Sequence, residues 1–133
     1  MVKPTQIRDA METCLTSETG IAAIPRPYIE DVNDFPAINV WNHSGKLVIV
    51  HYGAGAKLKS YFVSVRAYIF SEDDSIAESE RVCYLIERAI ERFAAAHRAL
   101  NIQSAQVTEV HTDEGLFTPY GVVDLNVAIL YND

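Results

Sequence analysis

Two runs of ten residues, Tyr61 to Phe70 and Val122 to Tyr131, alternate their side chains with a period of two. That period belongs to a β-strand, because successive side chains point to opposite faces. In the first run Tyr61, Val63, Val65, Ala67 and Ile69 share one face, and Phe62, Ser64, Arg66, Tyr68 and Phe70 the other. In the second, Val123, Leu125, Val127, Ile129 and Tyr131 share a face. Between the runs lies a segment of helical period, with Val82, Leu85, Ile86, Ala89, Ile90 and Phe93 on one stripe. Extended from Ser75 to His97 it measures roughly 34 Å at 1.5 Å per residue. Two strands with continuous apolar faces and one helix with a matching stripe constrain the fold strongly: the helix has to lie across a sheet.

The remaining elements are shorter. Thr5 to Leu15 places Ile7, Met11, Cys14 and Leu15 on one helical stripe, with Gly20 as the stop. Ile24-Pro25-Arg26-Pro27-Tyr28 cannot continue a helix, since each proline removes a donor and restrains its predecessor. Pro36 opens a strand, Ala37 to Trp41, followed by Leu47 to Tyr52. The Asn42-His43-Ser44-Gly45 segment between them has turn chemistry, which predicts a hairpin. Ser75 and Glu78 have the spacing of a capping box. Gln103–Val110 and Val122–Tyr131 read as a second hairpin with a long loop, bracketed by Thr112-Asp113-Glu114-Gly115 and Pro119-Tyr120-Gly121. The expected fold is α+β: an antiparallel-rich or mixed sheet of four to five strands packed against two helices, in the order α-β-β-β-α-β-β. With 133 residues, the chain makes one domain, residues 1–133.

Composition excludes several classes. Apolar residues make up 49% and charged residues 22%, as in an ordinary globular protein. No apolar run reaches the ~18–20 residues that cross a bilayer, and the N-terminus lacks the apolar core of a signal peptide, so a cytosolic site of synthesis is expected. The 18 acidic and 11 basic residues give a net charge of −7, which argues against binding nucleic acid. This charge is segregated. Residues 1–42 hold six acids and three bases, residues 43–71 hold no acid and four bases (Lys46, Lys57, Lys59, Arg66), and residues 72–133 hold 12 acids and four bases.

No arrangement of residues carries catalysis. His43, His51, His97 and His111 lack the i,i+4 spacing that seats two imidazoles on one metal. Cys14 and Cys83 lie in apolar helical patterns and read as reduced packing residues. Gly53-Ala54-Gly55 is followed by a strand, whereas a phosphate cradle requires a helix N-terminus. Glu72-Asp73-Asp74 lacks the spaced ligands of a calcium loop and suits a helix start. Asp113 and Glu114, adjacent in a loop, are not set for acid/base work. Neither an enzyme nor a cofactor or metal site is expected. Seven tyrosines and the charge segregation point to protein–protein contacts.

The order of these motifs carries a resemblance. Pro36-Ala37-Ile38-Asn39-Val40, a variable hairpin, Tyr61-Phe62-Val63-Ser64-Val65-Arg66-Ala67-Tyr68, the acidic turn Glu72-Asp73-Asp74, an amphipathic helix and Gly121-Val122-Val123-Asp124-Leu125-Asn126-Val127 resemble tail terminator proteins of long-tailed phages. The likeness spans about residues 1–133. It implies a subunit that forms a hexameric ring on the finished tail tube, stops polymerisation and supplies the surface joined to the head, with DNA passing through the lumen. Implied partners are further copies of itself, the tube protein and a head completion or connector protein, in the virion at the tail–neck junction. The variable contact loop of that family corresponds to Gly53 to Ser60. Lys57, Lys59, Lys46 and Arg66 are the expected tube-docking residues. The half-aromatic strand face, Phe62, Tyr68 and Phe70, is the expected subunit interface. A connector ring of the phage neck, or a small ligand-binding α+β domain, is the alternative.

Overall fold

The computed structural model describes residues 2–24, 34–42, 48–51 and 58–132. Helix α1 (Pro4–Thr19) ends as its sequence predicts. Gly20 takes φ +73°, a left-handed conformation that glycine adopts without a Cβ clash, and its N–H donates to Thr16 O at 3.0 Å. Strands β1 (Ala22–Ala23), β2 (Ala37–Asn42), β3 (Val48–His51) and β4 (Leu58–Phe70) precede helix α2 (Ser75–Ala96). A short 3₁₀ turn, Arg98–Leu100, leads to β5 (Ile102–Thr112) and β6 (Tyr120–Asn132).

The sheet is built on β4. Strand β6 pairs antiparallel with all of it, from Leu58↔Asn132 to Phe70↔Tyr120, and β5 pairs antiparallel with β6. On the other side of β4, β2 pairs with one half (Ala37↔Tyr68 to Asn42↔Val63) and β3 with the rest (Val48↔Tyr61 to His51↔Leu58). The strand order is β1-β2-β4-β6-β5, with β3 beside β4. This is a mixed sheet of six strands, because β1 runs parallel to β2. The α+β class and the two helices are as the sequence reading has them. The additional strand, β1, is two residues long, too short to show any periodicity.

One pairing differs from expectation. Strands β2 and β3 do not form a hairpin; both run antiparallel to β4, and so run in the same direction, one after the other along its edge. The antiparallel neighbours β3 and β4 are consecutive in the chain, so they are the hairpin strands. Turn-forming residues signal a local bend but do not dictate a reversal. The long β4 offers ladder partners to both segments, more than two short strands can offer each other.

The start of α2 also differs by one residue. The N-cap is Asp74, whose carboxylate accepts from Ala77 N–H at 3.0 Å. Ser75 lies inside the first turn, buried, with its hydroxyl 3.1 Å from Thr118 Oγ1. The Glu78 carboxylate turns outward and accepts from Arg81 Nε at 3.0 Å.

Both helices lie on one face of the sheet. Ile7, Met11, Cys14 and Leu15 of α1 and Val82, Ile86, Ala89, Ile90 and Phe93 of α2 join the inward side chains of β2, β4 and β6 in one buried cluster. Leu85, expected on the same stripe, is only half-buried. Among the described residues, no helix is long and apolar enough to cross a membrane.

Candidate interaction surfaces

The sheet face away from the helices carries the alternate side chains of the same strands. Ser64 and Tyr68 are buried there, Phe62 and Arg66 half-buried, and Phe70 is 38% exposed. Arg66 sits opposite Asp124 across the β4–β6 ladder. Its Nε and Nη2 donate to the two carboxylate oxygens at 2.6 and 3.0 Å, and its guanidinium lies 5.0 Å over the Trp41 ring. The hydrogen bonds to Asp124 hold the guanidinium's pKa well above its ordinary value. One register step along, a polar row crosses three strands. Ser64 Oγ donates to Asn126 Oδ1 at 3.1 Å, Asn126 Nδ2 donates to Glu109 Oε2 at 3.1 Å, and His111 Nε2 lies 3.1 Å from that same oxygen. Buried Asn39 donates to Ile24 O at 2.7 Å, while its own Oδ1 has no hydrogen-bond partner.

Tyr68, expected at a subunit interface, is only 2% exposed and packs with Ala37, Ile24, Phe35 and Val122 of its own chain. Its ring is already covered within the subunit. Phe70 instead joins Phe35 and Tyr120 in a triangle of rings whose centroids are 5.1–6.0 Å apart. Of the four basic residues expected at the tube contact, Lys46 and Lys57 lie outside the described residues. Lys59 is half-buried on β4, opposite Val50 of β3 and Tyr131 of β6. Arg66 is held by Asp124.

Composition and periodicity missed a second surface. Along the first half of α2, Ile76 and Tyr84 are exposed, off the buried stripe. They face Val110 at the end of β5 across a groove of about 290 Å³ rimmed by Glu80, Glu87 and Glu114. The β5–β6 loop nearby exposes Leu116, at 82%, and Phe117. Asp113 ties this loop, accepting from Phe117 N–H at 3.2 Å and Val122 N–H at 3.4 Å. Glu114 and Gly115 turn the chain with φ of +54° and +81°. A signal was present in the sequence: Ile76, Glu80, Cys83, Tyr84 and Glu87 recur at helical spacing away from the core stripe, and two large apolar residues stand inside a turn.

The thiols and imidazoles take structural places. Cys14 is buried, and burial pushes its thiol pKa up, with Glu18 adding to the shift. Cys83 is pushed up to about 12 by burial and by its hydrogen bond to Glu87, Sγ to Oε1 3.3 Å. Such thiols stay protonated near neutral pH, which suits packing rather than nucleophilic attack. His97 Nδ1 lies 3.1 Å from Phe93 O. Among the described residues, no group of three or more His, Cys, Asp or Glu side chains could hold a metal ion.

Comparison with known proteins adds a family. Residues 20–133 match the family model described as Bacteriophage Tail Tube Terminator Protein. No curated protein matches the chain.

Proposed function

The chain belongs to the bacteriophage tail tube terminator family, and from that premise we propose that it caps the growing tube as a closed ring, six copies being the resemblance's number. The family is one of structural tail proteins, so the virion tail is the chain's location and the tail tube its partner. In the proposed mechanism one ring face imitates the next tube subunit and binds the tube end. The opposite face refuses further tube subunits and takes the head-side connector, leaving the lumen open to DNA. Discrimination of this kind needs a repulsive element as well as an attractive one.

The match over residues 20–133 carries this reading. The surfaces support it: one subunit combines an exposed ring triangle, an open polar sheet face and segregated charge, and a site for a small ligand would instead gather polar groups in a deep pocket. The acid-free segment is the proposed tube contact. Exposed ion pairs contribute only about 0–1 kcal/mol each, but a ring repeats every contact, and the terms combine through avidity.

Electron microscopy of tails from phage lacking the chain tests the function. Overgrown tubes without heads are expected; tails of normal length joined to heads would overturn it. Reversing Lys57 and Lys59 to Glu should weaken capping while leaving the fold intact, and wild-type capping should fall with salt.

A further inference from the structure

The charges on the outer surface of α2 are sorted by the fold. Arg81 pairs with Glu78, Arg92 pairs with Glu18, and the Arg88 guanidinium lies 5.6 Å over the Tyr84 ring. Glu80 and Glu91 of α2, and Glu114 of the β5–β6 loop, make no ion pair among the described residues and stand at the side facing β5. Two hollows of about 290 and 350 Å³ lie there between α2 and β5, and Glu87 lines both. Their apolar floor is Ile76, Tyr84 and Val110 at one end and Ala105 and Val107 at the other. Among the described residues that line them there are carboxylates but no Lys, Arg or His. From Ile76 to Glu91 the channel follows α2 for about 22 Å, at 1.5 Å per residue.

The strand on the other wall has an unpaired side: among the described residues β5 pairs with β6 alone. Asp113 N–H donates to Val122 O at 3.2 Å, and the alternation of an antiparallel ladder then turns the N–H and C=O of Thr112 and Val110 away from β6. Both residues are exposed, and both line the channel. An edge of this kind is a template for a further strand.

We propose that the channel binds an extended, basic segment of a partner protein, about seven residues long at 3.3 Å per residue. The segment adds to β5 at Val110 and Thr112, lays aliphatic side chains on Ile76, Tyr84 and Val110, and reaches the glutamates with lysine or arginine near its ends. Charge selects this ligand, because the α2 bases are engaged elsewhere and the carboxylates of the channel are not neutralised by it. Channel against channel, between two copies, would oppose carboxylates. The site is separate from the acid-free segment proposed for the tube, and its ligand follows from the channel's own chemistry.

The probe is a labelled heptapeptide, Lys-Thr-Leu-Thr-Leu-Thr-Lys, whose lysines and leucines share one face when extended. It is titrated into the full chain at low salt and followed by fluorescence anisotropy. Replacing both lysines by Glu, or both leucines by Ser, should weaken binding about tenfold or more. Glu80→Lys with Glu114→Lys in the protein should do the same; Glu80→Gln with Glu114→Gln, weakening binding severalfold, is the alternate should charge reversal disturb the fold. Saturating peptide should slow hydrogen exchange at the Val110 and Thr112 amides and leave His111, whose N–H faces β6, unchanged. Absence of binding, equal binding of either altered peptide, wild-type binding by the protein variants, or unchanged exchange at Val110 and Thr112 overturns the proposal. Slowing of those two amides without peptide as the protein concentration rises also overturns it, since a second copy would then occupy the edge.

Discussion

The two faces of β4 have the same backbone, the same neighbours and the same register, yet they have different fates. On the helix side Tyr61, Val63, Val65, Ala67 and Ile69 are all buried. On the other side burial runs from nearly complete at Tyr68 to partial at Phe70, which is 38% exposed. The helix side is apolar without interruption and is sealed by α1 and α2. The far side alternates ring, hydroxyl and guanidinium, and its polar members find partners across the ladder, Arg66 with Asp124 and Ser64 with Asn126. One face therefore holds the fold, and the other is stable in water while keeping rings available to a partner.

Truncating the sealed face breaks this contrast most sharply. Phe93→Ala or Ile86→Ala removes a fully buried side chain, at an expected cost on the order of 2–5 kcal/mol. The same truncation at half-exposed Phe70 should cost under about 1 kcal/mol while lowering assembly onto tails. Urea midpoints measure the first effect and electron microscopy the second. Equal midpoint losses at Phe93 and Phe70 would erase the distinction between the faces.

The next effect concerns the polar side. Asp124→Asn leaves the shape but removes the charge from a two-point hydrogen bond to a half-buried guanidinium. A cost of about 1–2 kcal/mol is expected, toward the low end for charged hydrogen bonds because water reaches both partners. Arg66→Met should cost less than Asp124→Asn if Trp41 packs on the methionine side chain. The reverse order, read from denaturation midpoints, would mean that the stack on Trp41 outweighs the ion pair.

These same residues show where the sequence was legible. Alternation in β4 and β6 and the stripe of α2 are long periodic signals, and each placed its element within three residues of the observed ends. Pairing was less visible. Nothing local in the sequence of β2 or β3 says that both lie along β4, because that choice depends on ladder partners at distant positions. The groove beside β5 was hidden for a similar reason: Ile76 and Tyr84 belong to the outer helix surface until topology brings Val110 across from them. The ion pair of Arg66 was equally invisible, because only the register brings Asp124 opposite it.

Helix α2 joins both regions, and its first turn gives two smaller effects. Asp74→Ala removes the carboxylate that accepts from Ala77 N–H and should cost about 1 kcal/mol, within the range for N-cap losses. Ser75→Ala, at the expected cap position, leaves that bond in place and loses instead the contact with Thr118 Oγ1. Far-UV circular dichroism during urea unfolding distinguishes the two. A larger loss from Ser75→Ala would make the tie between helix and β5–β6 loop the stronger restraint.

The smallest effect depends on pH. The hydrogen bond from Arg81 lowers the Glu78 carboxyl below its ordinary value, while the partial burial of the pair opposes the shift. Because the folded value lies below the unfolded one, the unfolded state binds the proton more readily. The contribution to stability is therefore fully present above the unfolded value, near pH 4.5, and is lost as pH falls through the folded value. The pair is an exposed helical one three residues apart, so its contribution is expected at about 0.3–0.5 kcal/mol and should shrink with salt. Arg81→Met removes the partner without removing the carboxylate from the first turn, where the helix dipole still favours it. Between pH 3 and 6, the difference in urea midpoint between wild type and Arg81→Met should therefore narrow toward the acid end. A difference that stays constant down to pH 3 would show that Arg81 stabilises α2 through its alkyl stem rather than through Glu78.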